Sequence, residues 1–453
     1  MRTRARPAGS TLVIVLWIAF GLVSLAIYFG YSMSFELRAS DARVSAMAAE
    51  QAIDAAERYL LYVLVNYQTN GLMPDPTTYL REAVPVGDSR FWLIGRDTNH
   101  TSGPNIVSFG LTDENSKLNL NTATSNMLVF LPNMTVDLTT AILDWRDTNG
   151  GSGTFETYYG MQNPPYQNKS APFDSTEELK LLYGADMYTL VGEDLNRNGV
   201  LDPNETDENR NGVADPGVLE CVTVYSREPT TYSNGIARVN IRTVTANGPL
   251  ASLLQSTLSA SRANQILTAI GIVPPAPGRQ SPPVTFASPL QFYRRSQMTA
   301  DEFAQIANAL TVSSATNYIE GRVNVNTASA AVLGCLPGLV ENPGLAQTLV
   351  NYREQNPYRL TSIAWVVDAL GQNSSSVLDA LGTNDCLTTQ SYQYAADIAA
   401  LGPHGRGYRR VRFIIDTMDG TPKIVYRQDL THLGWALGSE VRKTWLLASK
   451  DMR

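Results

Sequence analysis

The first forty residues, MRTRARPAGSTLVIVLWIAFGLVSLAIYFGYSMSFELRAS (1–40), hold the choice on which the fold turns. Arg2, Arg4 and Arg6 precede a nearly unbroken apolar run from Leu12 to Tyr31. About 20 apolar residues suffice to cross the ~30 Å hydrocarbon layer as a helix. The flanking arginines favour a cytoplasmic N-terminal end. A cleaved secretory signal fits poorly, because the run is long and no small-x-small pattern follows it directly. The helical pattern continues through FELRASDARVSAMAAEQAIDAAERYLLYVLVNY (35–67), where Ala42, Ala46, Ala49, Ile53, Ala56 and Leu60 recur at three- and four-residue steps. No proline interrupts it, and Asn70-Gly71 marks an end. Leu12 to Tyr67 as one helix would be roughly 84 Å long at 1.5 Å per residue. Such a helix would lie half in a membrane and half on a folded head.

The remainder is long enough for a substantial head. At 453 residues the chain suggests two to four structural units. Net charge is −7 and the isoelectric point is near 5.2, against the basic stripe a nucleic-acid binder needs. Three cysteines, Cys221, Cys335 and Cys386, form no C-x-x-C pair. They read as buried thiols; outside the cytoplasm a Cys335–Cys386 disulfide stays open, and the odd count leaves at least one thiol free. No H-E-x-x-H, G-x-S-x-G or Walker A sequence occurs, and the three histidines are far apart, so nothing points to an enzyme.

Strand-like runs follow the helix at FWLIG (91–95), IVSFGLTDE (106–114) and KLNLN (117–121). Near the other end, YRRVRFIIDTMDGTPKIVYRQDLTHL (408–433) alternates around Asp419-Gly420 as a hairpin does. These flanks are expected to form one sheet packed on the long helix. Between them an internal repeat occurs three times: KLNLNTATSNMLVFLP…TTAILDWRD (117–147), RVNIRTVTANGPLASLL…ANQILTAIG (238–271) and RVNVNTASAAVLGCLPGL…LAQTLVNYRE (322–354). Each copy reads as a short extended segment, a threonine cap (Thr122, Thr243, Thr327) and two helices. GIVPPAPGRQSPPVTFASP (271–289) reads as an extended linker.

The most pointed chemistry lies in DLNRNGVLDPNETDENRNGVAD (194–215), a tandem D-x-N-x-N-G-x-x-D. Calcium loops place oxygen ligands at positions 1, 3, 5, 7, 9 and 12, with glycine at 6. The first loop supplies Asp194, Asn196, Asn198, the Val200 carbonyl, Asp202 and Glu205 around Gly199. The second supplies Asp207, Asn209, Asn211, the Val213 carbonyl and Asp215 around Gly212. Its twelfth position is Val218, so Glu220 or a carboxylate from elsewhere must complete it. Hard oxygens without His or Cys favour calcium, two ions in all, over zinc or copper. A strand rather than a second helix is expected after the loops, at VLECVTVYS, which argues against an EF-hand sensor and for a metal that supplies folding energy to a polar loop.

Ala8-Gly9 sits before the apolar run, which resembles the leader of type IV pilins and pseudopilins, cut after the glycine to leave Ser10 as the new N-terminus. The glutamate common at the fifth mature position is here Ile14. The first repeat resembles the K-class minor pseudopilins of type II secretion in an ordered series: N-x-N-T-A at 119–123, D-W-x-D at 144–147, Tyr158-Tyr159, a P-Y…P-F stretch and an E-E-L helix. That class typically lacks the glutamate and is known to bind calcium. The resemblance implies an α+β chain: a long transmembrane and amphipathic helix, a pilin-like α/β head, and a large inserted all-α region of SAM-like, helix-hairpin-helix type. The expected organisation is leader 1–9, transmembrane helix 10–35, amphipathic helix and first strands 36–118, helical copy one 119–190, calcium loops and strands 191–237, copy two 238–270, linker and extra helix 271–320, copy three 321–400, and C-terminal strands 401–453. It implies a prepilin peptidase and minor pseudopilins of classes H, I and J as partners, an inner-membrane anchor with a periplasmic head, a place at the pseudopilus tip, and no nucleic acid. Two rival readings are a membrane-anchored DNA receptor using the third copy, whose hairpin Glu341 disfavours phosphate, and a minor pilin of a type IV pilus.

Overall fold

The computed structural model describes residues 10–67, 71–97, 106–149, 153–232, 235–272, 282–438, 441 and 444. Gly9 and the rest of the expected leader, 1–9, lie outside them. Helix α1, Ser10–Tyr67, is unbroken over 58 residues, about 87 Å at helical rise. Its two halves have opposite surroundings. From Leu12 to Val44 no residue is buried, and Leu12, Trp17, Leu22 and Phe29 stand more than half exposed. This half is long and apolar enough to cross a membrane. From Ser45 onward one stripe is buried: Ala49, Ala52, Ile53, Ala56, Leu60, Val63 and Leu64. The stripe starts later than its periodicity predicts, since Ala42 is exposed and Ala46 only half-buried. Small alanines let the helix approach the sheet closely. Gly402 and Gly407 complete the approach, because a side chain at either would strike the backbone of Ser45.

The head is a mixed α+β layer of α1 on an antiparallel sheet. Its strands are β1 (Val84–Val86), β2 (Ser89–Ile94), β3 (Thr112–Asp113), β4 (Gln393–Leu401), β5 (Arg409–Asp416) and β6 (Lys423–Asp429), in spatial order β1-β2-β4-β5-β6 with β3 beside β2 along β4. The β5–β6 hairpin forms where alternation predicts it. Strand β4 is the correction. It lies at the centre, buried at every position, and all of it but Leu401 falls in the span 321–400 read as helical. QYAADIAAL has apolar residues on both faces and four alanines, so it lacks the period-two signature of a half-exposed strand. Its even-numbered residues, Tyr394, Ala396, Ile398 and Ala400, meet α1 together with Phe91, Leu93, Val411 and Phe413. Trp92, Ile94, Ala399 and Leu401 belong to a separate cluster with Ala436 and Leu437 on the opposite face. By the same alternation, Asp397, Arg410 and Arg412 fall on that opposite face.

The three sequence repeats become three helical copies with one shared core. Each opens on a two-residue strand that pairs in parallel with a strand closing the same copy: Leu118–Asn119 with Val222–Thr223, Val239–Asn240 with Leu310–Thr311, and Val323–Asn324 with Leu387–Thr388. KLNLN therefore leaves the head sheet and fastens copy one. The asparagine of each opening strand accepts the N–H two residues on, at 2.9 Å for Asn119, 2.8 Å for Asn240 and 2.9 Å for Asn324. The threonine of each closing strand does the same, at 3.1 Å for Thr223, Thr311 and Thr388. The repeat is thus a repeat of turns as much as of helices.

Three local expectations need revising. The helices are capped at Thr124, Gly248 and Ser329 rather than at Thr122, Thr243 and Thr327. Thr327 donates instead to Asp113 at 2.5 Å. The helices Pro289–Ser296 and Ala300–Ile306, read as an addition after a linker, lie between the strands that open and close copy two; Thr243–Val244 pairs across the linker with Thr285 and Val284. VLECVTVYS begins as a short helix, Val218–Cys221, and becomes strand only at Val222–Thr223. All three cysteines are buried free thiols, so the Cys335–Cys386 disulfide does not form. Burial pushes the Cys335 and Cys386 thiols up to about 12, leaving them protonated and inert.

Candidate functional site

The tandem acidic loops leave the first helical copy at Gly192 and return at Pro216. The two ends lie side by side, with Glu193 N–H donating to the Asp215 carbonyl at 2.9 Å and Gly217 N–H to the Val191 carbonyl at 3.0 Å. Gly192 has φ +73°, and a Cβ there would sit 2.3 Å from the Asp215 carbonyl oxygen, so only glycine lets the strands meet.

Both loops fold alike. In loop one Asp194 accepts the N–H groups of Asn198 at 2.9 Å and Gly199 at 2.7 Å, and Asn198 Oδ1 accepts Val200 N–H at 2.9 Å. In loop two Asp207 accepts Asn211 at 3.1 Å and Gly212 at 2.8 Å, and Asn211 Oδ1 accepts Val213 at 2.8 Å. Asp202 takes the amides of Asn196 and Asn198 at 2.6 and 3.0 Å, as Asp215 takes those of Asn209 and Asn211. Positions 4 and 6 adopt positive φ in both: Arg197 +57° and Gly199 +83°, Arg210 +60° and Gly212 +76°.

The closing carboxylates differ in origin. Glu205, at position 12 of loop one, accepts Asn196 N–H at 3.1 Å and Asp202 N–H at 2.9 Å. In loop two the matching role falls to Glu193, just before loop one, which accepts Glu208 N–H at 2.7 Å and Asp215 N–H at 3.1 Å. Glu220, the residue the sequence offered for that position, turns instead to Arg96 at 3.2 Å. Glu193 was missed because chelating loops are read forward from position 1, whereas this carboxylate reaches over from upstream.

Surroundings separate the loops further. Asp194, Asn196, Arg197, Asn198 and Val200 are buried, whereas Asn209, Arg210 and Asn211 are exposed. Loop one lies over the back of the head sheet. Arg410, fully buried, grips Asp397 with two N–H bonds at 2.8 and 2.7 Å and donates two further N–H groups to the carbonyls of Asn196 and, at 2.6 Å, Arg197. Arg96 also donates to the Arg197 carbonyl. Burial would raise Asp397, but Arg410, Arg412 and Arg96 hold its carboxyl far below the usual range. Glu220 is likewise kept low by Arg96 and Lys117 against its burial. Asp194 moves the other way: burial raises it more than Arg96 and its N–H donors lower it. The signal for this clasp was the run Arg409-Arg410-Val411-Arg412, charges on both faces of a predicted strand.

The donor set is one for a hard cation. Among the described residues no three His, Cys, Asp or Glu side chains are drawn together as a metal site by themselves, so an ion here would depend on amide and backbone oxygens as well. Asn196 Oδ1 fits that need: it is a buried oxygen at position 3 with no hydrogen-bond donor. The burial of Asp194, only partly offset by Arg96 and two N–H donors, fits it too, since a cation would offset the rest of the charge.

No family model and no curated protein matches the chain. Among solved structures it is similar to a chain in the crystal structure of the GspK-GspI-GspJ complex of the enterotoxigenic Escherichia coli type 2 secretion system, at 11% identity and a TM-score of 0.40, covering 90% of this chain and 99% of that one.

Proposed function

We propose that this chain is a membrane-anchored minor pseudopilin of the K type, processed after Gly9, with α1 in the inner membrane and the head in the periplasm at the tip of a type II secretion pseudopilus. The observation that carries this reading is α1: one unbroken helix, apolar and exposed through Val44, then buried against an antiparallel sheet. An exposed apolar half requires lipid or other apolar helices around it. Ile14 in place of a carboxylate suits a subunit with no neighbour above it to pair that charge.

Calcium is part of the same reading. Asp194, Asn196, Asn198, Asp202, Glu205 and the Val200 carbonyl would hold one ion. Asp207, Asn209, Asn211, Asp215, the Val213 carbonyl and Glu193 would hold a second. Bound there, calcium supplies a cross-link between oxygens that otherwise repel, and its binding energy becomes folding energy for the loops. The chain's own residues do the rest: backbone N–H groups orient the aspartates, and Glu205 and Glu193 close each loop.

Co-expression with a prepilin peptidase tests the assignment. The mature chain should begin at Ser10, and the membrane fraction should co-purify with minor pseudopilins of classes H, I and J encoded by the same host. An intact Met1 in membranes that contain active peptidase would remove the processing claim. Tight, salt-sensitive DNA binding by the detergent-solubilised chain would favour the receptor reading instead.

A further inference from the structure

Two loops of nearly one sequence should bind an ion nearly alike, unless something outside them intervenes. At loop one something does. The carbonyls of Asn196 and Arg197, at positions 3 and 4, are held by Arg410 from strand β5, and the second also by Arg96. Arg410 is itself locked on Asp397 in β4. Asn196 donates its amide to the Trp435 carbonyl at 3.2 Å, and its Oδ1 is left buried without a donor. The two arginines pair directly with Asp397 and Glu220 rather than with Asp194, Asp202 or Glu205. The backbone that must converge to chelate is thus the backbone that docks copy one on the sheet. Loop two's Asn209 and Arg210 are exposed, and its closure by Glu193 stays within the first copy.

We propose that the loops are a fixed and an exchangeable calcium site: occupation of loop one is coupled, through Arg410 and Arg96, to the seating of the first helical copy on the back of the head sheet, while loop two fills and empties independently. This rests on the calcium reading above. Arg410 is a positioning residue; it would touch no ion. Linkage makes the coupling reciprocal, so whatever factor docking adds to the ion's affinity, the ion adds to docking. Pre-organisation by the clasp lowers the ordering cost of binding at loop one and leaves that cost in full at loop two.

The test uses the full chain in detergent, stripped with chelator and titrated with calcium chloride by calorimetry. Two classes of site are expected, the tighter at loop one. Arg410→Lys should weaken the tight class about tenfold or more, the loss usual when an outer partner of a metal site is removed, and leave the weak class unchanged. Glu193→Gln should abolish the weak class alone. Hydrogen exchange of the wild-type chain supplies a readout that needs no variant: one equivalent of calcium should protect 194–200 together with 90–97 and 409–412, and a second equivalent only 207–215. Two sites of equal affinity, Glu193→Gln weakening both, or one equivalent leaving 90–97 and 409–412 unprotected would overturn the proposal. Should Arg410→Lys not fold, the exchange result decides. A wild-type chain that binds no calcium at all would instead remove the reading beneath it.

Discussion

Two carboxylates fasten the helical insert to the head, and they are fastened in opposite ways. Asp397, in β4, lies under loop one and is met by Arg410 at 2.7 Å, Arg412 at 3.2 Å and Arg96 at 3.6 Å. Asp113, in β3, lies under copy three and is met only by neutral donors: Asn324 Nδ2 at 2.9 Å, Thr327 Oγ1 at 2.5 Å, the Ser391 hydroxyl and Asn115 N–H at 2.8 Å. Both are almost wholly buried. Burial raises both, yet arginines drag Asp397 far down while neutral donors leave Asp113 raised to about 6. Equal burial therefore says little about a buried acid; the charge of its partners decides its state.

The largest expected effect is at the charged junction. Asp397→Ala would leave a fully buried guanidinium without its counter-ion, and breaking such a pair costs about 3–5 kcal/mol. Urea unfolding of the full chain in detergent should show that loss, with hydrogen exchange rising first at 194–200. Asp113→Ala strands the hydroxyl and amide donors but no charge, so about 1–3 kcal/mol is expected, with exchange rising at 323–328 and 391. If Asp113→Ala loosened loop one as well, the junctions would be one cooperative unit rather than two.

Acid should separate them by sign. The folded chain holds a proton on Asp113 from about pH 6, whereas the unfolded chain takes it up only near 3.8. Between those values the native state binds more protons, so this junction gains stability as pH falls from 7 toward 4. Asp397, depressed below 3.8, contributes stability that is present above that value and is lost as pH falls below it. Unfolding free energies at pH 7, 5 and 3 should first rise or hold and then fall, and Asp113→Asn should reduce the slope of the upper limb, to which Asp194 also contributes, and leave the lower limb as it is. An unchanged upper limb in that variant would break the contrast.

What could be read from the chain follows where the determinants are local. The long helix is written in apolar spacing, the β5–β6 hairpin in alternation around Asp419-Gly420, and the loop turns in the D-x-N-x-N-G pattern, all set by neighbours within a few residues. The cap positions and the Val218–Cys221 helix are local misses; the larger failures lie outside any local pattern. Strand β4 is buried on both faces and so has no alternation to detect. Glu193 lies outside the loop it closes. Arg410 is 213 residues from the Arg197 carbonyl it holds. Thr327 donates its hydroxyl to Asp113 across 214 residues, and the helix it was expected to cap is capped two residues later, at Ser329. The three copies were visible as sequence, but their closing strands were not, since a two-residue parallel pair carries no period.

The smallest effect belongs to a contact that looks as ionic as the Asp397 junction. Glu50 of α1 meets Arg427 at 2.9 Å and Arg409 at 3.5 Å, linking the helix to β6 and β5. Its side chain is 43% exposed, and those of Arg427 and Arg409 are 49% and 35% exposed. Water screens such pairs, and exposed ones contribute roughly 0–1 kcal/mol. Glu50→Gln should therefore shift the urea midpoint little, and half-molar salt should erase what shift there is. Helix and sheet are held instead by Ala52, Ile53, Leu60 and Phe413, where Leu60→Ala would cost about 2–5 kcal/mol. A Glu50→Gln loss as large as that of Asp397→Ala would mean that charge number, not burial, governs how this head is joined.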